Sequence, residues 1–334
     1  MIMSHNSHSN DIDDSPGDDE QSKNGVYAHA IGVEDPSGFI ESQYRLLVPV
    51  LSESPVENVE RIMRSAATIA LDREGNFLVL CLVDVPQQTP YEAMTKDQPR
   101  VRDAHETAER LLHIAEDAGV AADGIVCLTH REPHAILNVA DRHDCDGVFM
   151  IVDADRSQRR RLLGGDTVET IVSRADADVF VEKPGERETP TERIPLTVSG
   201  GPHSGLAAET ARALALEAGA RIDVIHFLSE DATDENREEG EIILGAAEEV
   251  LNDVEHVSAE LVETKDVAAE MAARSDAYDV TVLGAPTMGL LKQFVFGTVP
   301  DSVTQRAENA VLMAKQRTGA TSAYYRWIAR DPVE

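Results

Sequence analysis

The stretch Gly284 to Val303, GAPTMGLLKQFVFGTVPDSV, gathers residue types that can hold an anion. The apolar run Val280–Leu283 leads into it as a strand, and helical spacing follows. Gly284 thus falls at the carboxyl end of a strand, where open parallel sheets bind ligands and a missing Cβ permits close backbone approach. Gly297 and Thr298 open the next helix. Amides at a helix start attract an anion, and the Thr298 hydroxyl adds a donor. The loop also carries Pro286, Thr287 and Gly289, and Lys292 is its one lysine. That ammonium could reach a terminal phosphate. A plainer reading uses the same residues. Thr298 and Asp301 match a capping box that would take up those amides, Pro300 suits a first turn, and Asp301 would repel phosphate. The residues alone leave both a phosphate cradle and a simple strand-to-helix turn open.

A second cluster of small residues, Ser199, Gly200 and Gly201, follows an earlier strand of the same half. They would leave room for a ribose, or make a tight connection with Ser199 or Gly201 near the helix cap. Asp84 lies at a strand end of the first half, where a solvated turn carboxylate is the ordinary role. RSQRRR at 156–161 is the most basic patch and could meet phosphates or an acidic partner. Asp153, Asp155 and Asp166 surround it, so local charge balance explains it equally. The histidines, His203 nearest the glycine turn among them, make no metal-ligand spacing. No nucleophile elbow or Ser-His-Asp set can be assembled. No catalytic residue or metal is therefore assigned. Slow nucleotide hydrolysis ranks behind a non-enzymatic role.

Composition narrows the classes. The chain has 334 residues, enough for two domains, and 42% are hydrophobic, enough for real cores. Its 61 acidic residues against 30 basic ones give a formal net charge of -31, which would repel a phosphate backbone and argues against nucleic acid. Acid spread through both halves fits hydration at very high salt, where screening weakens self-repulsion. A salt-loving, haloarchaeal source is the expectation. Cys81 and Cys127 lie within apolar strand-like runs and read as core filling. No run has membrane-spanning length and the first residues show no signal-peptide pattern, so a cytoplasmic location is expected.

These residues need a scaffold. Residues 1–40 are polar and acidic and read as a disordered tail. From Tyr44 onward, apolar strands alternate with helically spaced segments, the pattern of an α/β fold with a parallel sheet covered on both faces. PGERETPTE at 184–192 interrupts as a linker. The same order then resumes, and GVFMIV…DVFVEK parallels YDVTVLG…AVLMAK. The predicted units are a first domain at 41–183, a second at 193–316 and a tail at 317–334. Tyr324, Trp327 and Ile328 of that tail share a face if it is helical.

With this duplication the chain resembles the universal stress protein family, as a tandem of two such domains. The resemblance covers 44 to about 183 and 193 to about 315. It implies two adenine-nucleotide alpha hydrolase-like domains, each with a five-stranded parallel sheet in the order 3-2-1-4-5 flanked by helices. Many members bind ATP or other adenine nucleotides, and others bind none. Binding members carry G-x2-G-x9-G-[S/T] between the fourth strand and the last helix. Gly284, Gly297 and Thr298 keep that spacing, but Thr287 holds the middle glycine's place and Gly289 comes two residues later. The family's aspartate after the first strand is Ser199 here. The first half departs further: Ile151, Ala154, Gly164 and Gly165 align with the motif, and Leu51 replaces the aspartate. LVDVPQQTP and SGGPHSG are most similar to soluble tandem modules attached to some prokaryotic amino-acid and cation permeases.

The resemblance implies a regulatory protein that binds one nucleotide, ATP with magnesium or AMP, in its second domain. An empty site is the equal alternative, with the chain then a scaffold or a regulator of a transporter or signalling protein. In the order 3-2-1-4-5 each last strand is an apolar edge that needs cover. The expectation is that Val179 and Val181 face Val311 and Met313 within one chain. A homodimer would use another surface, with the tail a candidate.

Overall fold

The computed structural model describes residues 27–31, 44–51, 56–91, 94–95, 97–152, 165–185, 190–274, 277–285 and 309–317. After a short strand β1 (Tyr27–Ile31), the first half runs β2 (Arg45–Leu51), α1 (Val56–Asp72), β3 (Asn76–Asp84), α2 (Pro99–Asp117), β4 (Ala122–Thr129), α3 (Glu132–Arg142), β5 (Gly147–Ile151), α4 (Gly165–Arg174) and β6 (Asp178–Lys183). The second runs β7 (Arg193–Thr197), α5 (Pro202–Ala218), β8 (Arg221–Leu228), α6 (Asp234–Val250), β9 (Val257–Glu263), α7 (Val267–Arg274), β10 (Val280–Gly284) and β11 (Ala310–Lys315).

All the strands join one 11-stranded sheet, in the order β1-β4-β3-β2-β5-β6-β11-β10-β7-β8-β9. Each half contributes five parallel strands in the order 3-2-1-4-5, and the halves meet where β6 pairs antiparallel with β11. Strand β3 shows why the sheet is parallel and covered. Every residue from Asn76 to Val83 is buried. Phe77, Val79, Cys81 and Val83 enter one apolar cluster, and Leu78, Leu80 and Leu82 enter another on the opposite face. A strand with one wet face would alternate in polarity instead. Burial pushes the thiols of Cys81 and Cys127 up to about 12, as inert core residues require.

Both clusters run through the seam between the halves. Phe180 of β6 shares a cluster with Leu312 and Ala314 of β11, and Val179 and Val181 share the other with Val311 and Met313. Val181 lies opposite Met313, while Val179 and Val311 lie opposite Lys315 and Lys183. Helix α1 crosses to α5 over the first of these faces. Arg212 of α5 there bonds Asp72 of α1 at 2.8 Å and also meets Asp253 of its own half.

Two expectations need correction. Val179 does not face Val311, because the antiparallel register centred on Val181 and Met313 sets it opposite Lys315. Tyr27–Ile31, read as part of a disordered tail, forms a strand antiparallel to β4, with Tyr27 opposite Leu128 and Ile31 opposite Gly124. The sheet's edge at β4 offers unpaired amides and carbonyls, and this short run supplies partners for them. No described helix is long and apolar enough to cross a membrane.

Candidate functional site

The carboxyl ends of β7 and β10 lie side by side, with Leu196 opposite Val282 and Thr197 opposite Leu283. In this strand order they are the first and fourth strands of their half, the place where an open sheet reverses its winding and forms a crevice. The described residues that leave β7 at that crevice are small. The turn leaving β7 is Ser199, Gly200 and Gly201, with φ of 77° at Gly200 and 85° at Gly201. Two successive left-handed residues strongly favour glycine. Pro202 then enters the first turn of α5, where its missing N–H leaves no gap in the bonding. Among the described residues no side chain caps this helix start.

Ser204 braces the turn instead. Its hydroxyl accepts the Ser199 amide at 3.0 Å and donates to the Gly200 carbonyl at 3.3 Å. On the other wall, a Cβ on Gly284 would stand 2.7 Å from the His203 carbonyl carbon and 2.8 Å from the Ser204 nitrogen. At Gly284 the close approach is made by the backbone of α5. The Ser199 side chain is exposed, and Ile243 of α6 packs beneath Gly200.

Two histidines stand at this edge, and spacing alone hid the role of each. His203 Nδ1 accepts the Gln316 amide at 3.1 Å. Burial, followed by the Lys315 ammonium, lowers its pKa against the pull of Asp178. His226 is buried in β8, and its Nδ1–H donates to the Val198 carbonyl at 2.8 Å. It supports the strand just ahead of the glycine turn. The signal was a histidine two residues before the end of an apolar strand, a place where a strand carbonyl needs a donor.

The matching edge of the first half carries larger side chains among the described residues. Leu51, Ile151 and Val152 occupy it and are all buried. At the start of α4, the Thr167 hydroxyl donates to the Glu132 carboxylate at 3.2 Å. Burial, and more weakly Asp84, raises the Glu132 pKa. Glu132 thus places a carboxyl group beside the first turn of α4, where a second anion would meet repulsion once it is ionised.

Of the residues singled out by sequence, Ser199, Gly200 and Gly284 are brought together here. Pro286, Thr287, Gly289, Lys292, Gly297 and Thr298 lie outside the described residues, as do the arginines at 156–161 and the tail from 318. Among the described residues no group of three or more His, Cys, Asp or Glu side chains could hold a metal ion.

The sequence pattern of the universal stress protein family matches residues 44–183 and again 190–315. A universal stress protein from Archaeoglobus fulgidus DSM 4304 superposes over 83% of this chain and 97% of its own, at 16% identity and a TM-score of 0.53. A putative universal stress protein from Pseudomonas aeruginosa UCBPP-PA14 covers 82% of this chain and 94% of its own, at 14% identity and a TM-score of 0.51. These likenesses speak to the fold. No curated protein matches the chain in sequence. Two successive matches over both five-stranded halves establish that the chain belongs to the universal stress protein family.

Proposed function

We propose that the protein is a non-enzymatic regulator that binds one adenine nucleotide at the carboxyl edge of its second domain. One observation carries this reading. At the matching crevices, the second half presents a glycine turn, an uncapped helix start and Gly284, while the first half presents Leu51, Ile151 and Val152. Bare backbone admits a ribose and phosphates, and buried aliphatic side chains exclude them. Ser199 and Gly200 would line the sugar side. Gly284 and the loop with Pro286, Thr287, Gly289, Lys292, Gly297 and Thr298 would line the phosphate side. The ligand is AMP, or ATP with magnesium, which would neutralise phosphate charge. His203 and His226 at this edge already bond the backbone, which favours sensing over turnover. The charge of -31 favours a cytoplasm rich in salt.

Equilibrium dialysis with labelled AMP, ATP and cyclic AMP, in molar potassium chloride, tests the proposal. One site per chain is the expected result. Two equivalent sites would refute the exclusion of ligand from the first domain, and no uptake of any of the three would leave the protein a ligand-free scaffold.

A further inference from the structure

The first turn of α5 is tied to the other domain by a closed ring of contacts. His203 Nδ1 accepts the Gln316 amide at 3.1 Å. The next amide, that of Arg317, donates to Asp178 Oδ1 of β6 at 2.8 Å. The Tyr44 hydroxyl donates to Asp178 Oδ2 at 3.3 Å, and Arg73 lies 3.6 Å from the same oxygen. Arg73 covers the Tyr44 ring at 4.7 Å from its centroid and returns to α5 through Glu209 at 3.0 Å. One carboxylate of the first domain thus anchors α5 twice: at its first turn, through the end of β11, and at its middle, through Arg73.

The first of these anchors bears on the crevice. Gly201 supplies no side-chain cap, so the first turn of α5 is held from outside its own backbone by Ser204 and by His203. The His203 backbone is also the surface on which Gly284 rests. Releasing His203 from Gln316 would free the wall that faces Gly284. We infer that His203 is a positioning residue through which Asp178 of the first domain seats the start of α5, so that ligand affinity in the second domain depends on domain packing. The ligand in this statement rests on the proposed nucleotide site. The coupling rests on the ring of contacts alone.

The chemistry gives the coupling a direction with pH. Because Nδ1 accepts an amide proton, His203 is neutral and carries its own proton on Nε2. Lys315 of β11 and Asp178 of β6 are the charges that act on it; burial and the Lys315 ammonium together outweigh Asp178 and hold its pKa below the ordinary range. The accepting form is thus fully present above about pH 6.5, the ordinary histidine value, and is lost as pH falls through the lowered pKa.

The test uses the full chain, with AMP as the probe and two readouts. Without ligand, hydrogen exchange of the first-turn amides of α5 should quicken in His203→Leu and in Asp178→Asn. With AMP, both variants should bind at least about fivefold more weakly, a modest coupling between sites. His203→Asn keeps an acceptor in place of Nδ1 and should retain affinity, without the loss at acid pH that the native chain shows. Unchanged exchange in Asp178→Asn, or native affinity in His203→Leu, would overturn the coupling. If the native chain takes up neither AMP nor ATP, the nucleotide reading falls, and the exchange arm decides the coupling by itself.

Discussion

Val181 of β6 and Met313 of β11 lie directly opposite each other across the antiparallel seam. Each is the fourth residue of the last strand in its half, DVFVEK and AVLMAK. Matching residues that pair with each other mark the pseudo-two-fold axis between the domains. The register is therefore set by the duplication itself: Val179 meets Lys315 as Lys183 meets Val311. Two edges that would invite pairing with other chains satisfy one another, and apolar clusters continue across both faces.

Val181→Asp should lower stability by about 3 kcal/mol or more, because an unpartnered carboxylate would enter a buried apolar seam. Urea denaturation followed by circular dichroism, beside sedimentation at several concentrations, measures this. The loss should appear whatever the oligomeric state. A dimer that becomes a monomer with an unchanged melt would show that this edge serves contacts between chains.

Gly284→Ala should be destabilising by about 1–3 kcal/mol, since its methyl group would strike backbone rather than a side chain that can rotate away. Nucleotide binding should fall with it, because the α5 wall has to retreat. Gly219→Ala is the control. Unlike Gly284 it has a left-handed φ, 66°, so any loss there is backbone strain alone, and nothing stands within 4 Å of its added methyl. If the two substitutions have equal effects on stability and on binding, the close approach at Gly284 is immaterial.

Much of the architecture was legible because its causes are local. Apolar runs such as NFLVLCLVD can be stable only between two helical layers, and the repeat of DVFVEK as AVLMAK exposed the duplication. The strand at Tyr27–Ile31 was not legible. YAHAI is an apolar run of only five residues within an acidic, polar tail, and its pairing partner, the open edge of β4, is not visible in sequence. At the site, the glycines announced close approach but not what approaches. That Gly284 meets the backbone of His203 depends on where α5 begins, and Gly201 and Pro202 settle that start in three dimensions. The tie from His203 to Asp178 was beyond reach for the same reason. It joins a helix of one half to a strand of the other through the residues that follow β11.

The last prediction concerns a charge that the duplication does not repeat. Glu182 of β6 holds the place that Ala314 holds in β11, and both sit on the α1 and α5 side of the sheet. Arg61 of α1 donates to Glu182 Oε1 at 2.8 Å, with side chains only 17% and 5% exposed. Among the described residues Glu182 Oε2 has no hydrogen-bond partner. Such a pair gains Coulomb energy but loses solvation, and the unpaired oxygen worsens the balance. Ala314 shows that the fold tolerates an apolar residue there. Arg61→Leu alone should therefore lose about 3 kcal/mol, since it strands a buried carboxylate. Arg61→Leu combined with Glu182→Leu should be neutral or more stable than the native chain by about 1 kcal/mol. Urea midpoints of the native chain, both single variants and the double variant form a complete cycle. Repeating the cycle in dilute and molar potassium chloride separates this pair from surface ones, because salt screens exposed charges far more than buried ones. A double variant as unstable as Arg61→Leu would show that the ion pair itself supports the fold.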